Sequence, residues 1–146
     1  MTKAFNTEQE QVDLLVPWLE NQGFCIACEV GQSMQMVDVA GAKNGLLYLI
    51  EAKLANWKQA MKQCEAHELV ADYIYIAIGT KNISPNFMEA MKEKGFGIIH
   101  CHPETGKMYI ALKAKKNSYY WIPQKRVFLN KFRFRLNEDK KRGDND

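Results

Sequence analysis

Asp38, Glu51 and Lys53 are the residues of this chain whose types and spacing best suit catalytic chemistry. They lie in two apolar runs, residues 34–40 (MQMVDVA) and 46–54 (LLYLIEAKL), that read as neighbouring β-strands. A strand sends successive side chains to opposite faces, so Glu51 and Lys53 share one face while Ile50, Ala52 and Leu54 take the other. By the same rule Asp38 sits with Met36 and Ala40, opposite Val37 and Val39. If the runs pair as a hairpin, two carboxylates and one ammonium meet at a sheet edge. Two hard oxygen ligands suit Mg²⁺ or Mn²⁺, and a nearby lysine stabilises or deprotonates a water attacking a phosphodiester. The same trio also describes the polar face of a half-solvated hairpin carrying an ordinary Glu/Lys pair of little energetic weight.

The elements that must position the trio follow from periodicity. Thr7-Glu8-Gln9-Glu10 is a capping box, and Val12, Leu15, Val16 and Leu19 continue it at helical spacing up to Gly23. Pro17 falls inside this pattern and is expected to kink or split the helix. Residues 24–30 (FCIACEV) read as a strand with Phe24, Ile26, Cys28 and Val30 on one face and Glu29 on the other. The Asp38 and Glu51 strands follow, joined by a turn over residues 41–45.

A helix is expected over residues 56–70, with Trp57, Ala60, Met61, Cys64 and Leu69 on its apolar side. Residues 73–78 (YIYIAI) are too continuously apolar for a one-sided strand and predict a buried central one. Ser84-Pro85 starts a short helix ended by Gly95, and two more strands, 97–101 and 108–112, flank a turn at 102–107. The order α-β-β-β-α-β-α-β-β predicts an α/β fold, a mixed central β-sheet flanked by helices on both faces.

The length fits one domain, and the 47% hydrophobic and 25% charged fractions are those of an ordinary globular protein. The first ten residues hold no apolar signal core, and no apolar run approaches a membrane span. Four cysteines without an export signal are expected to be free thiols, and the expected location is cytoplasmic. The net charge of +3 conceals an asymmetry. Up to Gly106 eight Lys/Arg stand against thirteen Asp/Glu; from Lys107 onward twelve stand against four. The basic segment interleaves Tyr119, Tyr120, Trp121, Phe128, Phe132 and Phe134, a combination that suits phosphates and bases and equally describes a solvated tail with core anchors.

Other candidates carry less. Glu29 points to the site face or serves as a rim carboxylate. Helical histidines such as His67 are mostly structural. Cys25 and Cys28 have half-site spacing for zinc, but a strand sends them to opposite faces and there is no knuckle turn. No Walker A loop or GxGxxG is present.

In their order, these residues resemble the PD-(D/E)xK nuclease superfamily. The matching elements are an N-terminal helix acid (Glu8 or Glu10), Gly23-Phe24 before the first strand, Glu29-Val30 at its end, Asp38, Glu51-Ala52-Lys53, and Gln63 on the next helix. The runs Ala71-Asp72-Tyr73-Ile74-Tyr75-Ile76-Ala77 and Gly95-Phe96-Gly97-Ile98-Ile99 resemble strands of smaller members, so the likeness covers roughly residues 8–112. Val37 stands where the motif name has proline.

The resemblance implies a restriction-endonuclease-like core, residues 1–112, followed by a basic, aromatic-rich C-terminal extension, 113–146, with a flexible end. It implies Mg²⁺, with Mn²⁺ substituting, held by Asp38, Glu51 and the Ala52 carbonyl. Lys53 would orient the attacking water or stabilise charge in the transition state, and Gln63 and the helix acid, Glu8 or Glu10 with Glu10 carried as the site residue, would support that water or the metal. The implied activity is hydrolysis of DNA, with RNA open as a substrate, no membrane partner, and a homodimer as a common family arrangement. Lys113, Lys115, Lys116, Lys125, Arg126, Lys131, Arg133 and Arg135 are the expected nucleic-acid contacts. The alternative is a non-catalytic nucleic-acid-binding or assembly subunit that keeps the fold.

Overall fold

The structure, a computed structural model, describes residues 2–32 and 35–145, with side chains up to residue 141. Six strands form one sheet in chain order: β1 (Cys25–Gln32), β2 (Gln35–Lys43), β3 (Leu46–Lys53), β4 (Tyr73–Ile78), β5 (Gly97–Cys101) and β6 (Met108–Leu112). β1, β2 and β3 pair antiparallel, β3, β4 and β5 parallel, and β6 closes the far edge antiparallel to β5. The parallel pairs require crossovers, supplied by α2 (Trp57–His67) and α3 (Pro85–Lys94). Their buried residues, Ala60, Cys64, Phe87 and Met91, share a core with Leu49, Ile74, Ile76 and Ile98. The opposite face packs Val39, Ile50, Ala52 and Ala77 against Leu15 and Leu19 of α1 (Glu8–Glu20). A mixed sheet with helices on both faces is therefore present.

Local chemistry explains the boundaries. Thr7 caps α1 by accepting from the Glu10 N–H, Asn56 caps α2 through Gln59, and Ser84 caps α3 through Phe87. Asn44 and Gly45, both left-handed at φ 55° and 76°, make the two-residue β2–β3 turn. The turn is thus shorter than the five residues expected, because an Asn-Gly pair supplies both positive φ values. Helix α1 runs through Pro17 without interruption. The missing N–H frees only the carbonyl of exposed Asp13, and Pro17 itself lies about one turn from the helix end. Met34, expected to open the second strand, lies outside the described residues.

The segment after Leu112 is no appendage. Its helix α4 (Ile122–Asn145) packs along β1, and Phe128 and Phe132 are buried in the α2/α3-side core. Asn117 bonds the carbonyls of Glu68 and Ala71, and Lys125 grips both oxygens of buried Asp72 at 2.9 and 3.0 Å. The core therefore extends past residue 112. The flexible end expected of the segment falls on Asp146 and on side chains after Lys141, outside what is described. No helix among the described residues is long and apolar enough to cross a membrane.

Candidate metal centre

The sheet splits where Asp38 and Glu51 meet. β2 and β3 pair from Lys43↔Leu46 to Val39↔Ile50 and no further. Beyond that point Asp38 Oδ2 accepts the Ala52 N–H at 2.9 Å, so a carboxylate replaces the next rung of the ladder. On β1, opposite Asp38, Glu29 adopts a left-handed φ of 53° and leaves the pairing between Cys28↔Val39 and Val30↔Val37. This break reverses the alternation of faces. Val37 and Ala40 share the α2/α3-side core while Val39 belongs to the α1 side. The expected opposition of Asp38 to both Val37 and Val39 does not hold, because simple alternation assumes continuous pairing.

Glu51 follows the rule: with Ile50 and Ala52 on the α1 face, it points to the α2 face and is wholly buried. There His67 of α2, itself wholly buried, lies with Nε2 2.6 Å from Glu51 Oε1. Gln32, at the end of β1, sits with its Oε1 3.4 Å from His67 Nδ1. Glu51 Oε2 has no hydrogen-bond partner.

Electrostatics follow from this burial. Asp38 is pushed up to about 7, first by burial and then by the hydrogen-bonding and charge of the adjacent Glu51 carboxyl, against the Ala52 N–H and Lys53. Burial also raises Glu51, opposed by Asp38 and Lys53. Burial lowers His67 to about 4, against the raising effect of Asp38, which favours the neutral ring at its 2.6 Å contact with Glu51. Two neighbouring carboxyls that hold a proton near neutrality, one with a buried unpartnered oxygen, fit a hard divalent cation. Among the described residues no group of three or more His, Cys, Asp or Glu side chains forms a metal site, so these two carboxylates would need backbone or water oxygens to complete it. Ala52 lends its N–H to Asp38. The N–H and C=O of one strand residue face the same neighbour, which puts its carbonyl on the β2 side too.

Lys53, 13% exposed, lies at the end of β3 with Nζ 3.9 Å from Glu8 Oε1. The helix acid beside it is thus Glu8. Glu10, expected in that role, is exposed and bound within the cap, its carboxylate accepting from Thr7 Oγ1 at 3.3 Å. Gln63 is half-buried on α2 with its amide oxygen enclosed and unpartnered. Glu29 and Asp38, with Gln9, Val12 and Cys28, line an open cavity of about 320 Å³ between α1 and the β1/β2 edge.

The eight basic residues do not form one surface. Lys113 borders an aromatic cavity with Trp18 and Tyr48, and Lys115 and Lys116 border another with Lys92 and Lys94 beside α3. Lys125 is withdrawn from any ligand by Asp72 and by the Tyr120 ring 3.9 Å away. Arg126, Lys131 and Arg133 are exposed on α4. Lys131 Nζ lies beside Gly31, and the Arg135 charge acts on the Cys28 thiol at the cavity rim. Of these only Lys131 and Arg135 adjoin the candidate centre, whereas Arg133 borders a cavity with Cys25, Gly45 and Asp72 at the β2–β3 turn end.

Sequence reasoning passed over Gln11 and Gln32 and read His67 as mostly structural. Gln11 falls on the Leu15/Leu19 stripe of α1 and His67 on the Ala60/Cys64 stripe of α2, and a polar residue on an apolar stripe was the available signal. Gln11 Nε2 donates to the Ala77 carbonyl at 3.2 Å and so ties α1 to β4. Gln32 had no such signal.

No family model and no curated protein matches this chain. It is similar in structure to SPO1766, a protein of unknown function from Silicibacter pomeroyi. The TM-score is 0.71 at 17% identity, over 94% of this chain and 90% of that one. At that identity the likeness concerns the fold alone.

Proposed function

We propose that this protein is a divalent-metal-dependent nuclease of the PD-(D/E)xK type, with a restriction-endonuclease-like core, that hydrolyses phosphodiester bonds in DNA. The observation that carries the reading is the split sheet edge. There Asp38 and Glu51 sit side by side with a buried unpartnered oxygen, next to Lys53. Asp38 and Glu51 would hold Mg²⁺ or Mn²⁺, which when bound supplies Lewis acidity and neutralises phosphate charge. The Ala52 N–H orients Asp38 by taking its Oδ2. Lys53 would place its ammonium against the charge that grows on the phosphate in the transition state, steadied by Glu8 at 3.9 Å. The cavity at Asp38 would admit the substrate strand, and Lys131 and Arg135 of α4 would contact its phosphates.

The test is incubation with single-stranded, duplex and branched DNA and with RNA, in Mg²⁺, Mn²⁺ or EDTA, beside Asp38→Ala and Lys53→Ala. A nuclease cleaves at least one substrate with metal only, and both variants lose cleavage while retaining binding. Binding without cleavage under every metal sinks the nuclease and leaves the non-catalytic subunit.

A further inference from the structure

The buried Gln32–His67–Glu51 chain is left unexplained by a metal centre that stops at its ligands. Burying three polar side chains costs several kcal/mol unless each is paired, so their arrangement has a consequence. A Glu51 carboxylate oxygen can only accept, so the proton of neutral His67 belongs on Nε2, donating across 2.6 Å. Nδ1 then needs a donor. The Gln32 amide is placed with its Oε1 3.4 Å from Nδ1 and its Nε2 unpartnered, so turning the amide over, which satisfies both groups, supplies that donor.

The hydrogen bonds leave an oxygen census. Asp38 Oδ2 is engaged by the Ala52 N–H and Glu51 Oε1 by His67, while Glu51 Oε2 is unpartnered. Each carboxylate thus has one oxygen pinned by an N–H, and its second oxygen, held in the metal-free protein only by the contact between the two carboxyls, is the one to offer. Mg²⁺ and Mn²⁺ take single oxygens from one or two carboxylates in a tight octahedron. Ca²⁺ takes more ligands at longer range, often both oxygens of one carboxylate. A carboxylate oxygen that already accepts a short hydrogen bond has one lone pair fewer to give and is held in place by the donor, which disfavours chelation by both oxygens.

We propose that His67, its tautomer set by Gln32, is a positioning residue that restricts Glu51 to one ligating oxygen and so makes the centre select Mg²⁺ or Mn²⁺ over Ca²⁺. The proposal rests on the metal-centre reading above. Outer-shell partners of this kind change metal affinity by about 10–100-fold.

The measurement is calorimetric titration of Mn²⁺ and Ca²⁺ into the full chain, with melting curves in EDTA as the check on folding. The set is wild type, Asp38→Asn, His67→Phe, His67→Gln and Gln32→Leu. Wild type should bind Mn²⁺ more tightly than Ca²⁺, and Asp38→Asn should lose both. His67→Phe should weaken Mn²⁺ by about 10-fold or more and narrow the Mn²⁺/Ca²⁺ ratio. His67→Gln, which can present an N–H to Oε1, should stay within about threefold, and Gln32→Leu should fall between the two. Equal affinities and ratios across the His67 and Gln32 variants overturn the proposal and leave the metal centre standing. If His67→Phe does not fold, unchanged Mn²⁺ affinity in Gln32→Leu overturns it by itself. A wild type that binds neither cation overturns the metal centre as well.

Discussion

Asp38 carries the sharpest consequence at the scale of single residues. Its folded pKa of about 7 lies above the ordinary 3.8, so the fold prefers the protonated carboxyl. Stability from this group is fully present below about pH 4 and is lost as pH rises through about 7. In EDTA the melting temperature of wild type should therefore drop between pH 5 and 8 more than that of Asp38→Asn, which mimics the neutral acid. At pH 8 the variant should melt roughly 5 °C higher, and Mn²⁺ should raise the wild type but not the variant. Identical pH profiles for the two proteins would remove the paired carboxyls from the site. The thiols make an independent check. Cys64 and Cys101 are buried, Cys101 raised to about 11 by that burial, whereas Cys25 is exposed. A thiol reagent should modify native protein at Cys25 first and leave Cys64 and Cys101 untouched until it unfolds. Asp38, Glu51 and Lys53 were legible in the sequence because acids and a lysine interrupt otherwise apolar strands. His67 was not. Its role depends on α2 lying over β3, a tertiary fact that helical periodicity only hints at through the Ala60, Cys64, His67 spacing.

At the scale of elements, α4 is where sequence and structure part most. A basic run with scattered aromatics has no sharp apolar stripe, so a tail was the natural expectation. The packing of Phe128 and Phe132 on β1 supplies the reason it folds as a helix. Strand and helix bounds elsewhere were readable where side chains themselves cap or turn the chain, as at Ser84-Pro85, Gly95 and Asn44-Gly45. Phe128→Ala or Phe132→Ala should cost about 3–5 kcal/mol in a urea melt, and a chain ending at Leu112 should not fold cooperatively. A soluble, cooperatively melting 1–112 fragment would restore the two-part division of the chain. Lys125→Met should cost about 3 kcal/mol, because it strands the buried Asp72 carboxylate that also accepts the Leu47 N–H at 2.8 Å. A variant that merely lost a surface contact to nucleic acid would melt as wild type does.

For the whole molecule, the charge asymmetry resolves into separate patches, and of the basic C-terminal residues only Lys131 and Arg135 stand near the split sheet edge. Reversing Lys131 and Arg135 to Glu should weaken DNA binding about 10-fold or more and flatten its salt dependence. Reversing Lys115 and Lys116, on the far side beside α3, should do much less. Equal effects from both sets would mean that net charge alone draws the substrate. The central claim remains that Asp38, Glu51 and Lys53 form a working centre. It is tested most directly by the single-turnover rate of DNA cleavage in Mn²⁺ for wild type and Lys53→Met at matched, saturating protein. A metal-dependent nuclease using Lys53 cleaves in Mn²⁺, stops in EDTA, and loses about 100-fold or more in rate in the variant, with Mn²⁺ and DNA affinities kept within about threefold. No cleavage by wild type, or an undiminished rate in Lys53→Met, would contradict it.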